Sequence, residues 1–366
     1  MKQPVVLLLG PDRGAISGVS THLNLLFGSE LARRFDLAQF QVGSEGRTEG
    51  RIGLLARMAA SPFLLAAAIL RTRAAIVHVN TSLNTRSYWR DLAYVAAAKL
   101  CGARVVYQIH GGTLQDFYKP VLRATFKWPD VIVVLSRCEL EETRAIVPDQ
   151  SVALVPNAID CTPFQQHRRP APDPRAPLRL IHIGRLVKEK GVFEMVEGLA
   201  LVRRQGVAAS LVIAGDGPAR SGLQERVERL GLAGRVSFAG PAFGERKARL
   251  LGEADVLLFP TYHREGLPYV LLEGMAAGLA PITTRVAAIP DVITEGLHGL
   301  FVPPRDPEAV ARAIAALAAD RSRLARMSAA CRERVAASYS IERLADDFTA
   351  LYRRLESRSW APSQAG

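Results

Sequence analysis

The 366-residue chain predicts an α/β protein made of two similar parallel-sheet domains, and three observations predict it. Short, continuous apolar runs of strand length alternate with longer helical patterns along most of the chain, as expected of strands covered by helices on both faces. A proline-rich basic stretch without apolar periodicity, HRRPAPDPRAP (167–177), interrupts that alternation near the middle and fits neither sheet. Each half then opens in the same way, with a strand followed by a glycine-bearing turn: VVLLLGPDRGAISG and LRLIHIGRLVKEKG.

In chain order, the strands of the first half are VVLLLG (5–10), AIVHVN (75–80), RVVYQIH (104–110) and VIVVLS (131–136). Those of the second are LRLIHIG (178–184), ASLVIAG (209–215), RVSFAG (235–240), ADVLLFP (254–260) and LAPITT (279–284). The expected organisation is a first Rossmann-like domain over 1–165, a hinge at 166–177 and a second Rossmann-like domain over 178–339. Open sheets of this kind bind ligands beyond the C-terminal ends of their strands, so a cleft between the two domains is expected to carry the site. In the final segment, 340–366, SIERLADDFTALYRRLE has an apolar stripe at helical spacing (Ile341, Leu344, Phe348, Leu351, Tyr352, Leu355). It is expected to pack back on the first domain, followed by a short tail.

Composition is that of an ordinary globular protein, with 49% apolar and 22% charged residues. The four cysteines, Cys101, Cys138, Cys161 and Cys331, are scattered and form no metal-ligand pair, which suggests reduced thiols and a cytoplasmic setting. The first apolar run ends at Gly-Pro and is too short for a signal peptide. A formal charge of +12 points to polyanionic partners. Nucleic acid is disfavoured, because the arginines are spread through Ala/Leu-rich helices with no aromatic-interleaved segment or zinc finger. Phosphorylated ligands and an anionic membrane surface remain. From Arg51 to Arg90 there is no acidic residue, and RIGLLARMAASPFLLAAAILRTR combines a long apolar run with basic flanks. Arg57 and Pro62 leave too short an apolar length to span a bilayer. A helix lying on the membrane surface and an ordinary buried helix fit this stretch equally well.

Three segments carry chemistry. In GRLVKEKG, Arg185 and Lys190 flank a strand-to-helix connection and supply a planar fork and a point charge for a diphosphate, although such pairs are also common on surfaces. AGDGPAR places Gly215 and Gly217 at dinucleotide spacing but lacks the third glycine, so a tight turn lining a nucleotide is the better reading than an NAD fingerprint. In HREGLPYVLLEGMAAG a helix should begin near Leu267 or Pro268, with Glu265 in the loop ahead of it. The N–H groups of Tyr269 and Val270 then favour an anion. Glu273, one and a half turns in, is an odd choice for a core face unless it meets a polar partner such as a ribose diol. The plainer alternative has Glu265 answering the helix dipole and Glu273 solvated.

Taken together, GRLVKEKG, AGDGP, VSFAG, ADVLLFPTYHREGLPYVLLEGMAAGLAPITT and IPDVITEGLHGLFVPPRDPEAVARAI resemble the family 4 retaining glycosyltransferases of the GT-B fold, most strongly from about 180 to 310. The resemblance implies that Glu265 and Glu273 are the family's E-x7-E pair, the first beside the donor sugar and the second on the nucleotide ribose. The segment Gly266, Leu267, Pro268 and Tyr269 would hold sugar hydroxyls and phosphate through its backbone N–H groups. Arg185 and Lys190 would neutralise the diphosphate, with Gly184, Gly215 and Gly217 lining it. In the first half, SGVSTH resembles the glycine loop, with Gly18 available and Ser17 where a first glycine is common. QIHGG places His110 near the transferred sugar as a hydrogen-bond donor, and VPNAID carries Ala158 where the family has glycine. His22 and His263 rank below His110, and His78, His182 and His298 read as structural.

The implied activity is transfer of a hexosyl group, with retention, from a UDP- or GDP-type nucleoside diphosphate sugar to the hydroxyl of a sugar or lipid-linked acceptor in polysaccharide or glycolipid assembly. No cofactor, metal or separate general base is implied, since the leaving phosphate helps deprotonate the acceptor. A lipid-linked acceptor would place the protein in the cytoplasm, on the inner face of the membrane. A nucleotide-sugar epimerase of the same fold and a non-catalytic nucleotide-sugar-binding protein are the alternative readings.

Overall fold

The computed structural model describes residues 3–43, 50–112, 114, 117–167, 176–264 and 266–357. The chain forms two compact units, one made of Met1–Ala158 with Ile341–Gly366, the other of Ile159–Ser340.

The first unit is a six-stranded parallel sheet in the order β2-β1-β3-β4-β5-β6. Its strands are β1 (Val5–Gly10), β2 (Asp36–Gln41), β3 (Ile76–Leu83), β4 (Arg104–Gly112), β5 (Val131–Val134) and β6 (Val152–Leu154). The connecting helices are α1 (Gly18–Gly28), α2 (Leu31–Arg34), α3 (Arg51–Thr72), α4 (Thr85–Leu100), α5 (Lys119–Thr125) and α6 (Arg137–Ile146). Side chains that alternate along β1 enter different cores. Leu7 and Leu9 pack with Leu65 and Ile69 of α3 and with Tyr88 and Val95 of α4. Val6 and Leu8 pack with Leu23 and Leu26 of α1. Burial on both faces is what makes these strands read as unbroken apolar runs.

The second unit opens with α7 (Thr162–Gln166) and is a six-stranded parallel sheet in the order β12-β11-β10-β7-β8-β9. Its strands are β7 (Leu178–Ile183), β8 (Ala209–Ala214), β9 (Val236–Phe238), β10 (Val256–Phe259), β11 (Ala280–Thr283) and β12 (Leu300–Phe301). Its helices after α7 are α8 (Val192–Arg204), α9 (Arg220–Arg229), α10 (Gly244–Gly252), α11 (Tyr269–Ala277), α12 (Ile289–Val292), α13 (Pro307–Ala319) and α14 (Arg321–Ser338). Met195, Val196 and Leu199 of α8 share a core with Leu180, Leu211 and Val310.

One boundary differs from expectation. Residues 159–165, expected in the first domain, belong to the second unit, because α7 packs on α10 and α11 with Phe164 buried. The Ile159 N–H also donates to the Tyr339 carbonyl at 2.9 Å. Residues 168–175 of the expected hinge lie outside the described residues. The last helix, α15 (Ile341–Glu356), returns to the first unit, where Leu344, Phe348 and Tyr352 join Val6, Leu8 and Leu23 in one core. Among the described residues no helix is long and apolar enough to cross a membrane.

Candidate active site

The site residues read from the sequence fall into two groups. Gly18 and His110 belong to the first unit and the others to the second. Glu265 lies outside the described residues.

In the second unit the C-terminal ends of β7 and β8 are knitted together. Gly184 N–H donates to Ala214 O at 3.0 Å, Leu186 N–H to Asp216 O at 2.8 Å and Ala219 N–H to Leu186 O at 2.9 Å. The two glycines of AGDGPAR are required by this close approach: a Cβ at Gly215 would collide with the Gly184 carbonyl, and one at Gly217 with the Leu186 carbonyl. Arg185 stands exposed on the joined turns.

Lys190 ends a short 3₁₀ turn, Lys188–Lys190, and its Nζ sits 5.1 Å from the centre of the Phe259 ring at the end of β10. Burial pulls its ammonium down to about 8. The carbonyl before it, on Glu189, accepts from Tyr262 N–H at 2.9 Å, His263 N–H at 3.2 Å and the Thr261 hydroxyl at 3.2 Å. One carbonyl therefore ties the Lys190 turn to the loop that leads into α11.

α11 begins at Tyr269, and Pro268 is its N-cap, with ψ 124° and no side-chain cap bond. The helix thus starts just after the expected Leu267–Pro268, because Pro268 keeps an extended ψ while its ring still presets φ near −68°. Gly266, Leu267 and Pro268 are buried. The Tyr269 phenol is pushed up by burial and then by Glu273, which lies one turn further along the same face.

Glu273 is buried, as its odd position in an apolar helix suggests, but its partner in the structure is an ion pair with Lys247 of α10. This lysine was not singled out from the sequence. It lies in GERKARLLG, where three bases within four residues look alike until packing on α11 turns Lys247 inward.

In the first unit Ser17 caps α1. Its extended backbone (φ −149°) needs no glycine, and its hydroxyl accepts from Ser20 N–H at 3.2 Å, which leaves Gly18 as the exposed first residue of the helix. His110, near the end of β4, is half-buried, with its Nε2 2.8 Å from Asn80 Oδ1. Asn80 Nδ2 donates to Leu9 O at 3.0 Å, which fixes the amide orientation and makes Oδ1 the acceptor. Burial first, then His22 and His78, hold the His110 imidazole well below its usual range, so the ring is neutral. With Nε2–H given to Asn80, Nδ1 carries the lone pair. Instead of the hydrogen-bond donor expected from the sequence, His110 offers an acceptor. The His22 ring lies 4.6 Å from it, edge-on. His78 is structural: buried, it bonds Tyr352 at 2.6 Å and Gln108 at 2.9 Å. His182 is likewise buried against Leu258 O.

Two family models divide the chain between them. The model described as Glycosyl transferases group 1 matches residues 164–334, and the one described as Glycosyltransferase Family 4 matches residues 32–162. A GDP-mannose-dependent alpha-(1-6)-phosphatidylinositol monomannoside mannosyltransferase of Mycobacterium tuberculosis is 32% identical over 270 residues, 68% of this chain and 69% of that enzyme. The chain belongs to glycosyltransferase family 4. This family 4 glycosyltransferase is also similar to the putative colanic acid biosynthesis glycosyltransferase WcaL of Escherichia coli, at 29% identity over 60% of the chain and 55% of that protein. In fold it matches a sucrose-phosphate synthase from Thermosynechococcus elongatus, with a TM-score of 0.77 at 20% identity over 98% of this chain and 100% of that one. Anabaena Alr3699/HepE in complex with UDP matches with a TM-score of 0.74 at 16% identity, over 96% and 100%. The two six-stranded parallel sheets are those of the GT-B fold.

Proposed function

We infer that this glycosyltransferase moves a hexosyl group from a UDP- or GDP-type nucleoside diphosphate sugar to an acceptor hydroxyl, retaining the anomeric configuration. The observation that carries the reading is the Glu189 carbonyl, which brings the Lys190 turn against the loop entering α11 and so gathers a cation and a helix start in one place. In this reading Arg185, Lys190 and the first N–H groups of α11 receive the diphosphate, whose charge grows as the anomeric C–O bond breaks. Gly266 and Leu267 hold sugar hydroxyls through their N–H groups, and Glu265 meets the donor sugar. Lys247 engages Glu273 Oε1, and Oε2 takes the ribose hydroxyls. The new bond forms between the acceptor oxygen and the anomeric carbon on the face the diphosphate leaves, and the acceptor proton passes to the leaving phosphate. No divalent metal and no separate general base enter this scheme. Within the first unit, His110 Nδ1 offers its lone pair to a sugar hydroxyl.

The mannosyltransferase relative is named for a GDP-mannose donor and a phosphatidylinositol monomannoside acceptor, which supports a lipid-linked sugar as the acceptor class here. Titration calorimetry with a panel of nucleoside diphosphate sugars, followed by NMR of the product's anomeric proton with and without a chelator, tests the reading. An inverted product, or turnover that needs no acceptor, would overturn it, the second in favour of an epimerase.

A further inference from the structure

Helices α3, α4 and α5 cover one face of the first unit's sheet, sharing a core through Leu65, Ile69, Tyr88, Val95 and Leu122. The outer side of this layer is apolar as well. On α3, Ala56, Ala60, Phe63, Ala67 and Leu70 recur at alternating spacings of four and three and are all exposed, while Ser61, Leu65 and Ile69 face the core. Phe63 is 77% exposed and Leu70 65%. Trp89 on α4 and Tyr118 and Trp128 at the two ends of α5 are exposed aromatics of the same layer. Among the described residues twelve large hydrophobic side chains are exposed, and eight of them lie between Met58 and Trp128. An ordinary surface scatters such residues singly, whereas concentration in one layer marks a face that is covered in use.

Charge indicates what covers it. Residues 51–130 contain eleven Lys and Arg against three acids, Asp91, Asp116 and Asp130, the last paired with Lys99 and Arg104. Asp91 is buried and paired with Arg90 at 2.8 Å. Arg71, Arg73, Arg86, Lys119 and Lys127 are exposed on the helices of the layer and the turns beside them. A second copy of the chain on this face would set one basic surface against another, since a two-fold contact pairs a patch with itself. Apolar and aromatic side chains mixed with Lys and Arg instead match the boundary between acyl chains and anionic headgroups.

We propose that the outer face of the α3–α4–α5 layer docks on an anionic lipid surface, with Phe63, Leu64 and Leu70 entering the acyl boundary and the surrounding Arg and Lys meeting headgroup phosphates. The face lies on the bilayer and does not cross it. The proposal concerns the first unit alone and is independent of which nucleotide sugar the second unit binds.

Flotation of the full chain with vesicles of phosphatidylcholine alone, or mixed with phosphatidylglycerol, tests it. The expected result is binding to the mixed vesicles, loss of binding at high salt and no binding to phosphatidylcholine. The double variant Phe63→Ser/Leu70→Ser should lower partition by about tenfold or more through lost apolar burial. Arg71→Glu/Arg73→Glu should lower it by about tenfold or more through lost headgroup attraction. Both variants should keep the wild-type circular dichroism spectrum and donor binding in solution. Absence of flotation, binding indifferent to salt and to both double variants, or a wild-type dimer that Phe63→Ser/Leu70→Ser makes monomeric would each overturn the proposal. If the serine variant does not fold, the charge reversal and the salt response of the wild type still decide.

Discussion

Glu273 holds a charge where water is largely excluded, and Lys247 is the counter-charge that makes the position tolerable. Glu273→Gln keeps a hydrogen-bonding group of the same shape but removes the charge, so donor affinity should fall roughly tenfold to a hundredfold by calorimetry. Lys190 supplies a second prediction, with opposite signs for binding and folding. Its folded value of about 8 lies below the ordinary 10.5, so the free enzyme loses this charge as pH rises through about 8. Donor affinity should then fall toward tenfold per pH unit. Over the same interval the unfolded chain binds the extra proton, so the lysine's contribution to stability rises with pH. Lys190→Arg should abolish the break in the binding curve. The glycines, the proline and the acid in an apolar run were legible because each breaks a local rule that only a site excuses. Lys247 was not, because a charged helix face does not say which base turns inward. The His110 tautomer was not either, since it rests on Asn80 of one strand and the Leu9 carbonyl of another.

Among elements, the strands that escaped the sequence are β2, β6 and β12, and each is an edge of its sheet. An edge strand is covered less completely. DLAQFQ is half-exposed and mixes polar with apolar residues, and Val152–Leu154 and Leu300–Phe301 are too short to show a pattern. The central strands are buried on both faces and were read nearly to their ends. Helix starts follow side-chain chemistry in the same way. Ser17→Ala should lower stability by about 1 kcal/mol through the lost cap of α1, whereas Ser17→Gly should change it by only a few tenths. Thermal melts of the two variants separate a capping role for Ser17 from a need for glycine at that point. At the β7–β8 crossing, Gly215→Ala forces a methyl against the Gly184 carbonyl. It should cost about 1–3 kcal/mol and weaken donor binding in parallel.

At the scale of the whole molecule, the chain leaves the first unit after Ala158 and re-enters it at Ile341. α15 is part of that unit's core: Phe348 packs against His78, and the Tyr352 hydroxyl bonds the same ring. A chain ending at Ser340 should therefore bare Val6, Leu8, Leu23 and Leu26, bind a hydrophobic dye and lose the melting transition of the first unit. The second unit is continuous in sequence and should keep its own transition. The same connectivity sets an order of events during synthesis. The 182 residues from Ile159 to Ser340 emerge between the two parts of the first core. At about 5–20 residues per second the ribosome takes roughly 10 to 40 s to bridge them. The unit made first is thus completed last, and for that interval Val6, Leu8 and Leu23 wait for the helix that closes their core.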